Sequence, residues 1–202
     1  MRIVIITWEF PPRVIGDVAY HIDRIAQTLV HNGIDVFVVT YHNQLHGLEI
    51  RKDGVNVYRV KNPVESQFNI LTWDLTLASE LEKAVSDIYY STGKTIDLID
   101  AHEWLSVVPS TVLNRALKIP FIYSVNSLEE HRSNYGEAPL NIAIKNLERL
   151  GTQQASKIIV KSEWMKSEIE RLHKTPAEKI ISIPSSSINW SAEIREVYRR
   201  MD

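Results

Sequence analysis

The chain has 202 residues, of which 44% are hydrophobic and 24% charged, with a formal net charge of −2 and no cysteine. That length suits one large domain with a full core, and the absence of a basic block argues against nucleic acid as a partner. Zero cysteines exclude disulfides, thiolate zinc sites and thiol nucleophiles. No apolar run approaches the ~18–20 residues of a membrane span, and the opening Met-Arg-Ile-Val-Ile-Ile runs straight into a core strand instead of a secretory leader, so the expected location is cytoplasmic.

The first element expected is a buried strand over Ile3 to Ile6, a continuous apolar run of the kind covered on both faces. Pro11 and Pro12 end it. Gly16 then permits close approach of the backbone, and the free N–H groups of the next helix face that loop, a ready-made anion site; an ordinary strand–loop–helix without a ligand is the alternative. Asp17 reads as the N-cap of this helix, worth about 0.5–2 kcal/mol. Val18, Ile22, Ile25, Ala26 and Leu29 recur at helical spacing, and Asn32-Gly33 closes the helix.

Val36 to Thr40 reads as a second buried strand. Leu48 to Arg51 and Val55 to Val60 flank Asp53-Gly54, a hairpin signal. Ile70 to Tyr90 is a long amphipathic helix ending at Gly93. Strands follow at Ile96 to Ala101, Phe121 to Val125, Ile158 to Val160 and Ile180 to Ile183, with helices over 105–118, 138–154 and 162–173 between them. Ser162 is placed to cap the last of these, with Met165, Ile169 and Leu172 on its buried face. The segment 188–202 forms one more amphipathic helix with Trp190, Ile194, Val197 and Met201 on a single stripe. Repeated strand–helix units with right-handed crossovers give an α/β fold, a single three-layer Rossmann-like domain with a mainly parallel sheet, closed by a C-terminal helix. Ligands of such sheets bind outside the carboxyl ends of the strands.

Three of those strand ends carry chemistry. After the first strand stand Glu9, Pro11, Pro12, Gly16, Asp17, Ala19 and His21, followed by Gly33-Ile-Asp-Val-Phe-Val-Val-Thr40. After the strand near residue 100 stand Asp97, Asp100, His102, Glu103 and Trp104. A Trp beside an acidic residue suits a sugar, the ring covering an apolar face and the carboxylate taking hydroxyl hydrogen bonds; the alternative is that Trp104 packs on the domain and His102 bonds a neighbouring loop. The third loop holds Asn126, Ser127, Glu129 and Arg132.

These motifs together resemble the N-terminal, acceptor-side half of GT-B glycosyltransferases of the glycogen synthase and sucrose synthase type, and the resemblance covers essentially the whole chain. It implies a half GT-B fold over 1–187 with a returning helix over 188–202 packed on the same domain. The family pattern has a second glycine where this chain has Asp17, and a histidine next to the reacting sugar where this chain has Asn126. An amide has no proton that titrates near neutral pH, so Asn126 orients a sugar hydroxyl or has no role, and no catalytic residue is assigned. Gly16, Asp17, His102, Glu103, Trp104, Asn126, Glu129 and Arg132 are the expected acceptor or substrate contacts. No metal and no cofactor is called for. Where the family crosses into its donor-binding half with Asn-Gly, this chain has Ser185-Ser186-Ser187, and nothing corresponds to that half. The final helix resembles the last helix of full-length members, an unrelated capping helix being the alternative.

The resemblance therefore implies an isolated domain of a retaining glycosyltransferase, inactive alone, with a sugar or glucan as partner. The rival is a natural subunit completed by a separate donor-binding chain, and a nucleotide-binding regulator is a weaker option. A carboxylate at Asp17 opposes bound diphosphate: a like charge at ~4 Å costs about 4 kcal/mol at an effective dielectric of 20.

Overall fold

The computed structural model describes residues 1–64, 69–184 and 186–201; Ser185 of the serine run and Asp202 of the last helix lie outside the described residues. Among the described residues eight strands form one sheet: β1 (Arg2–Thr7), β2 (Asp35–Tyr41), β3 (Gly47–Ile50), β4 (Asn56–Val60), β5 (Leu98–His102), β6 (Phe121–Val125), β7 (Lys157–Val160) and β8 (Ile180–Ser182). Their order is β3-β4-β2-β1-β5-β6-β7-β8, and every pairing is parallel except β3 with β4. The expected hairpin is the exception, with Ile50 opposite Asn56 and Gly54 at φ +86° in its turn.

Strand alternation divides the core into two. Ile3, Ile5, Val36, Val38, Leu98 and Ile122 face α1 (Asp17–His31) and α7 (Trp190–Arg199). Val4, Ile6, Ile99, Phe121 and Tyr123 face the opposite layer, built from α2 (Ile70–Ser91), α3 (Val107–Leu117), α5 (Pro139–Gln154) and α6 (Glu163–His173). A further short helix, α4 (Glu129–Arg132), follows β6. This is the three-layer domain read from the sequence.

Local chemistry sets the helix ends. Ser162 caps α6 by accepting from the Met165 N–H at 3.2 Å, as the motif predicts, and Asn69 caps α2 by accepting from Leu71 N at 2.9 Å. α1 breaks the expectation. Its N-cap is Gly16, in extended backbone (φ −148°), and Asp17 is the first helical residue, exposed and capping nothing. The cause lies in Glu9, whose buried carboxylate accepts from Ile15 N at 2.7 Å and Gly16 N at 2.9 Å. That anchor starts the helix one residue earlier than expected, at Asp17. Asp17 still favours the helix through the positive end of its dipole.

Gly151 lets α5 lie close on the sheet. A Cβ there would come within 2.7 Å of Val107 Cγ2 and 2.8 Å of Tyr123 Cε1.

α7 is seated in the core by Ile194, Val197 and Tyr198, each under 9% exposed. Burial of each large apolar side chain contributes about 1.5–3 kcal/mol. Trp190, expected in the interior, is half-buried on the flank of α1, with the Arg24 guanidinium 5.2 Å from its ring centroid. Tyr198 takes the deeper position because its hydroxyl finds an acceptor inside the sheet layer.

Candidate functional site

The carboxyl ends of β1, β5, β6 and β7 carry the residues singled out by sequence, and the structure sorts them into two polar networks. The first lies beneath α7. Asp100, on β5, is fully buried, and its carboxylate accepts from Ser124 Oγ at 2.7 Å, from the Tyr198 hydroxyl, and is paired with His102 Nε2 at 2.9 Å. Burial pushes Asp100 up, but the adjacent His102 and the three hydrogen bonds outweigh it and hold the carboxyl below its ordinary value. Burial, reinforced by that carboxylate, raises the Tyr198 phenol well above its usual range.

His21 of α1 closes this network. Its burial, then the charges of Lys161, His102 and Arg24, push it down to about 3, so the ring is neutral. Between His21, His102, Asn126, Lys161 and Tyr198 lies a cavity of about 20 Å³, room for one water. Among the described residues, His21 Nδ1, His102 Nδ1 and Asn126 Nδ2 are buried without a hydrogen-bond partner. Three orphaned polar atoms on residues lining one small void are the signature of an ordered water or a ligand group.

The second network is centred on Arg132. Its guanidinium meets Glu148 at 2.7 Å, Glu129 at 3.1 Å and Glu103 at 3.7 Å, and donates to Ser127 Oγ at 2.7 Å. Glu103 accepts from the Asn126 backbone N–H at 2.6 Å, fastening the β5 loop to the β6 loop. Glu129 accepts from Asn141 Nδ2 at 2.6 Å, and Glu148 accepts from the Glu129 N–H at 2.8 Å. Burial pushes Glu148 up to about 7, against the pull of Arg132. The Arg132 guanidinium loses to burial but gains more from Glu148 and Glu103, so its pKa rises above the usual value.

The geometry corrects several sequence assignments. Trp104 does not stand open as a sugar platform: it is 8% exposed and packs in the core beside Leu105 and Val107. Glu103 sits at φ +64°, a conformation costing a non-glycine residue about 1–3 kcal/mol, and the turn it makes sends the following ring inward. His102 is 2% exposed and spends one ring nitrogen on Asp100. Glu129 is buried, and both its oxygens are engaged within the protein. The backbone N–H of Gly16 is already taken by Glu9, while Gly16 and Asp17 stand exposed at the mouth of the α1 loop. Arg132 keeps 31% of its side chain open, and Asn126 presents its amide to the cavity.

The sequence motif includes Asp100 without assigning it a role, and it does not single out Glu148, Ser124 or Tyr198. Asp100 and Tyr198 lie 98 residues apart, and no local spacing announces such a pair. The one local signal was the tyrosine of the final helix, a polar-tipped ring beside an otherwise apolar stripe.

Comparison with known proteins bears on these geometries. The model of Glycosyltransferase Family 4 matches residues 18–186. An uncharacterized glycosyltransferase of Methanocaldococcus jannaschii is 32% identical over 194 residues, covering 96% of this chain and 48% of that protein. A glycogen synthase of Mycobacterium tuberculosis is 24% identical over 185 residues, covering 85% of this chain and 45% of its own. The chain thus spans about half the length of the curated relatives it matches.

Among solved structures, a Thermosynechococcus elongatus sucrose-phosphate synthase chain described by the segments 27–220 and 406–426 superposes with a TM-score of 0.74 at 15% identity, over 100% of this chain and 99% of that one. A longer chain of the same enzyme gives 0.78 at 16% identity over 92% of this chain and 48% of its own. The fold is half of a GT-B architecture, and the chain belongs to glycosyltransferase family 4.

Proposed function

We propose that this chain is the acceptor-side domain of a retaining glycosyltransferase, closed by its own last helix, and that it transfers no glycosyl unit by itself. In the parent reaction a glycosyl unit passes from a nucleotide sugar to a sugar or glucan acceptor. Arg132, Gly16 and Asp17, exposed at the strand ends, and Asn126, whose amide faces the small cavity, are the acceptor-facing contacts in this reading, with the buried Glu103 and Glu129 holding their loops in place. His102 and Trp104 act from beneath, the first by positioning groups around the cavity and the second by packing.

One observation carries the reading. The whole chain aligns with nearly all of a two-segment sucrose-phosphate synthase chain, yet 92% of it aligns with only about half of the longer one. A family member whose donor-binding half is absent between the sheet and the last helix has that architecture. In this reading the Ser185–Ser187 run stands where the absent donor-binding half would be inserted.

Asp17 supports the same conclusion from electrostatics. Its carboxylate stands at the α1 start, where a bound diphosphate would need positive potential. A second reading, a subunit completed by a separate donor-binding chain, is favoured by Val14 and Ile15, which stand 39% and 56% exposed beside the Gly16 loop.

The test is turnover. Purified chain at low concentration, given UDP-glucose or ADP-glucose with a maltooligosaccharide acceptor, should release no nucleoside diphosphate above background. Enzyme-dependent release would overturn the proposal. Release that appears only when a second chain from the source cell is added back would select the subunit reading.

A further inference from the structure

The dipeptide Glu-Trp occurs twice, and its second copy is displayed where the first is buried. Trp164, in the first turn of α6, is 58% exposed. Its ring centroid lies 4.8 Å from that of His131, and His131 in turn lies 5.8 Å from Tyr135, which is 56% exposed. The exposed Trp164 and Tyr135 rings thus flank the largely buried His131, meeting its ring at 45° and 87°.

Both ends of this strip are built to stay in place. Asn134 and Tyr135 have φ of +50° and +62°, a left-handed conformation rare for an aromatic residue and the kind of strain that gathers at binding sites. Tyr135 N donates to Glu130 O at 2.7 Å, Ser133 Oγ accepts from Gly136 N at 3.1 Å, and Lys145 Nζ donates to Gly136 O at 2.8 Å. The Ser162 cap fixes the start of α6 on the other side.

Along the rim, Glu168 takes both Nε and an Nη of Arg171 at 2.8 Å each, and its Oε2 lies 3.0 Å from His131 Nε2. Glu130 pairs with Lys145 at 2.6 Å. α4 links this strip to the candidate site, with Arg132 turned into its carboxylates and His131 turned to the rings.

We propose that Trp164, His131 and Tyr135 form a glycan-binding strip that carries the further sugar units of an oligosaccharide acceptor away from the Asn126 loop. A pyranose offers an apolar C–H face to a ring and a girdle of hydroxyls to the side. Exposed aromatic rings bordered by a fixed carboxylate–guanidinium pair match both features, as ring stacking and charge-assisted hydrogen bonds are separated in space. The strip deepens the acceptor-side reading and rests on it, by making the acceptor an oligosaccharide instead of a single sugar.

Maltohexaose and cellohexaose titrated into the intact chain, followed by tryptophan fluorescence and saturation-transfer NMR, test it. Saturable binding to one of the two is expected, with Trp164→Ala about tenfold weaker and Trp164→Phe within about threefold of wild type. Tyr90→Ala, which removes another exposed ring far away on α2, should bind as wild type does. Unchanged melting curves for the variants confirm that they fold. The strip is overturned if neither glycan saturates, if Trp164→Ala binds as tightly as wild type, or if Trp164→Ala abolishes self-association in sedimentation instead. Nucleotide-sugar turnover by the chain alone would sink the half-domain reading but leave this binding intact, so the two failures are separable.

Discussion

The network beneath α7 and the network around Arg132 are both made of buried ionisable groups, yet they are balanced in opposite ways. Beneath α7, one carboxylate, Asp100, is matched by three donors from β5, β6 and α7. Around Arg132, one guanidinium is asked to serve three carboxylates. A carboxylate saturated by donors is a clasp, and here it ties the last helix to the centre of the sheet. A cluster with more negative charge than positive is held by its one cation, and part of that cation remains open to solvent. The first network explains why α7 is held on the sheet; the second, why the loops after β5 and β6 keep a fixed shape.

Removing the cation is the harshest way to break the comparison. Arg132→Met leaves Glu148 and Glu129 buried without a counter-charge and should cost about 3 kcal/mol, the range for a broken buried pair. Glu148→Gln in the same chain should recover part of that loss in urea unfolding. A Met variant as stable as wild type would show that the carboxylates are protonated or rearranged.

The clasp should respond more mildly. Tyr198→Phe keeps the ring in the core but takes one donor from Asp100, an expected loss of about 2 kcal/mol for a hydrogen bond to a charged group. An unchanged melting temperature would mean that Ser124 and His102 satisfy Asp100 unaided.

The pH dependence sharpens the contrast because the two networks pull in opposite directions. His21 is depressed from 6.5 to about 3, so the folded state resists its protonation and stability is lost as pH falls below 6.5 toward 3. Glu148 is raised from 4.5 to about 7, so the folded state binds its proton more tightly, and stability is lost as pH rises from 4.5 through 7. Difference curves against His21→Gln and Glu148→Gln should therefore slope with opposite signs between pH 4.5 and 6.5. Taking differences cancels Asp74, whose unpartnered carboxyl is pushed to about 8 by burial. Slopes of the same sign would refute the assignment.

The smallest effect belongs to Asp17. With Gly16 as the N-cap, Asp17→Ala removes only a favourable charge at the helix start, about 0.3–1 kcal/mol, and high salt should shrink the difference. A loss that persists in high salt would restore the capping role.

The strands, the two-layer helix arrangement and the Ser162 cap were legible because each rests on local periodicity or a local hydrogen bond. What stayed hidden depends on backbone turns and on partners far away in the chain. Glu103-Trp104 and Glu163-Trp164 are identical as dipeptides, but the positive φ at Glu103 turns one ring into the core while the start of α6 holds the other outside. Likewise, Asp17 reads as a cap until Glu9, eight residues earlier, claims the N–H groups beside it. The first residues of the helix expected over 105–118 form a separate 3₁₀ turn, Trp104–Ser106, because the chain must swing over the Glu103 anchor before α3 can begin.

The central claim is that α7 belongs to the domain as its closing element. Truncation after Ser187 tests it most directly, because it removes Ile194, Val197 and Tyr198 from the core at once and strips Asp100 of a donor. The account predicts an insoluble chain, or one destabilised by several kcal/mol in denaturant unfolding. A truncated chain that melts at the same temperature as the full one would contradict it, and the last helix would be a tail.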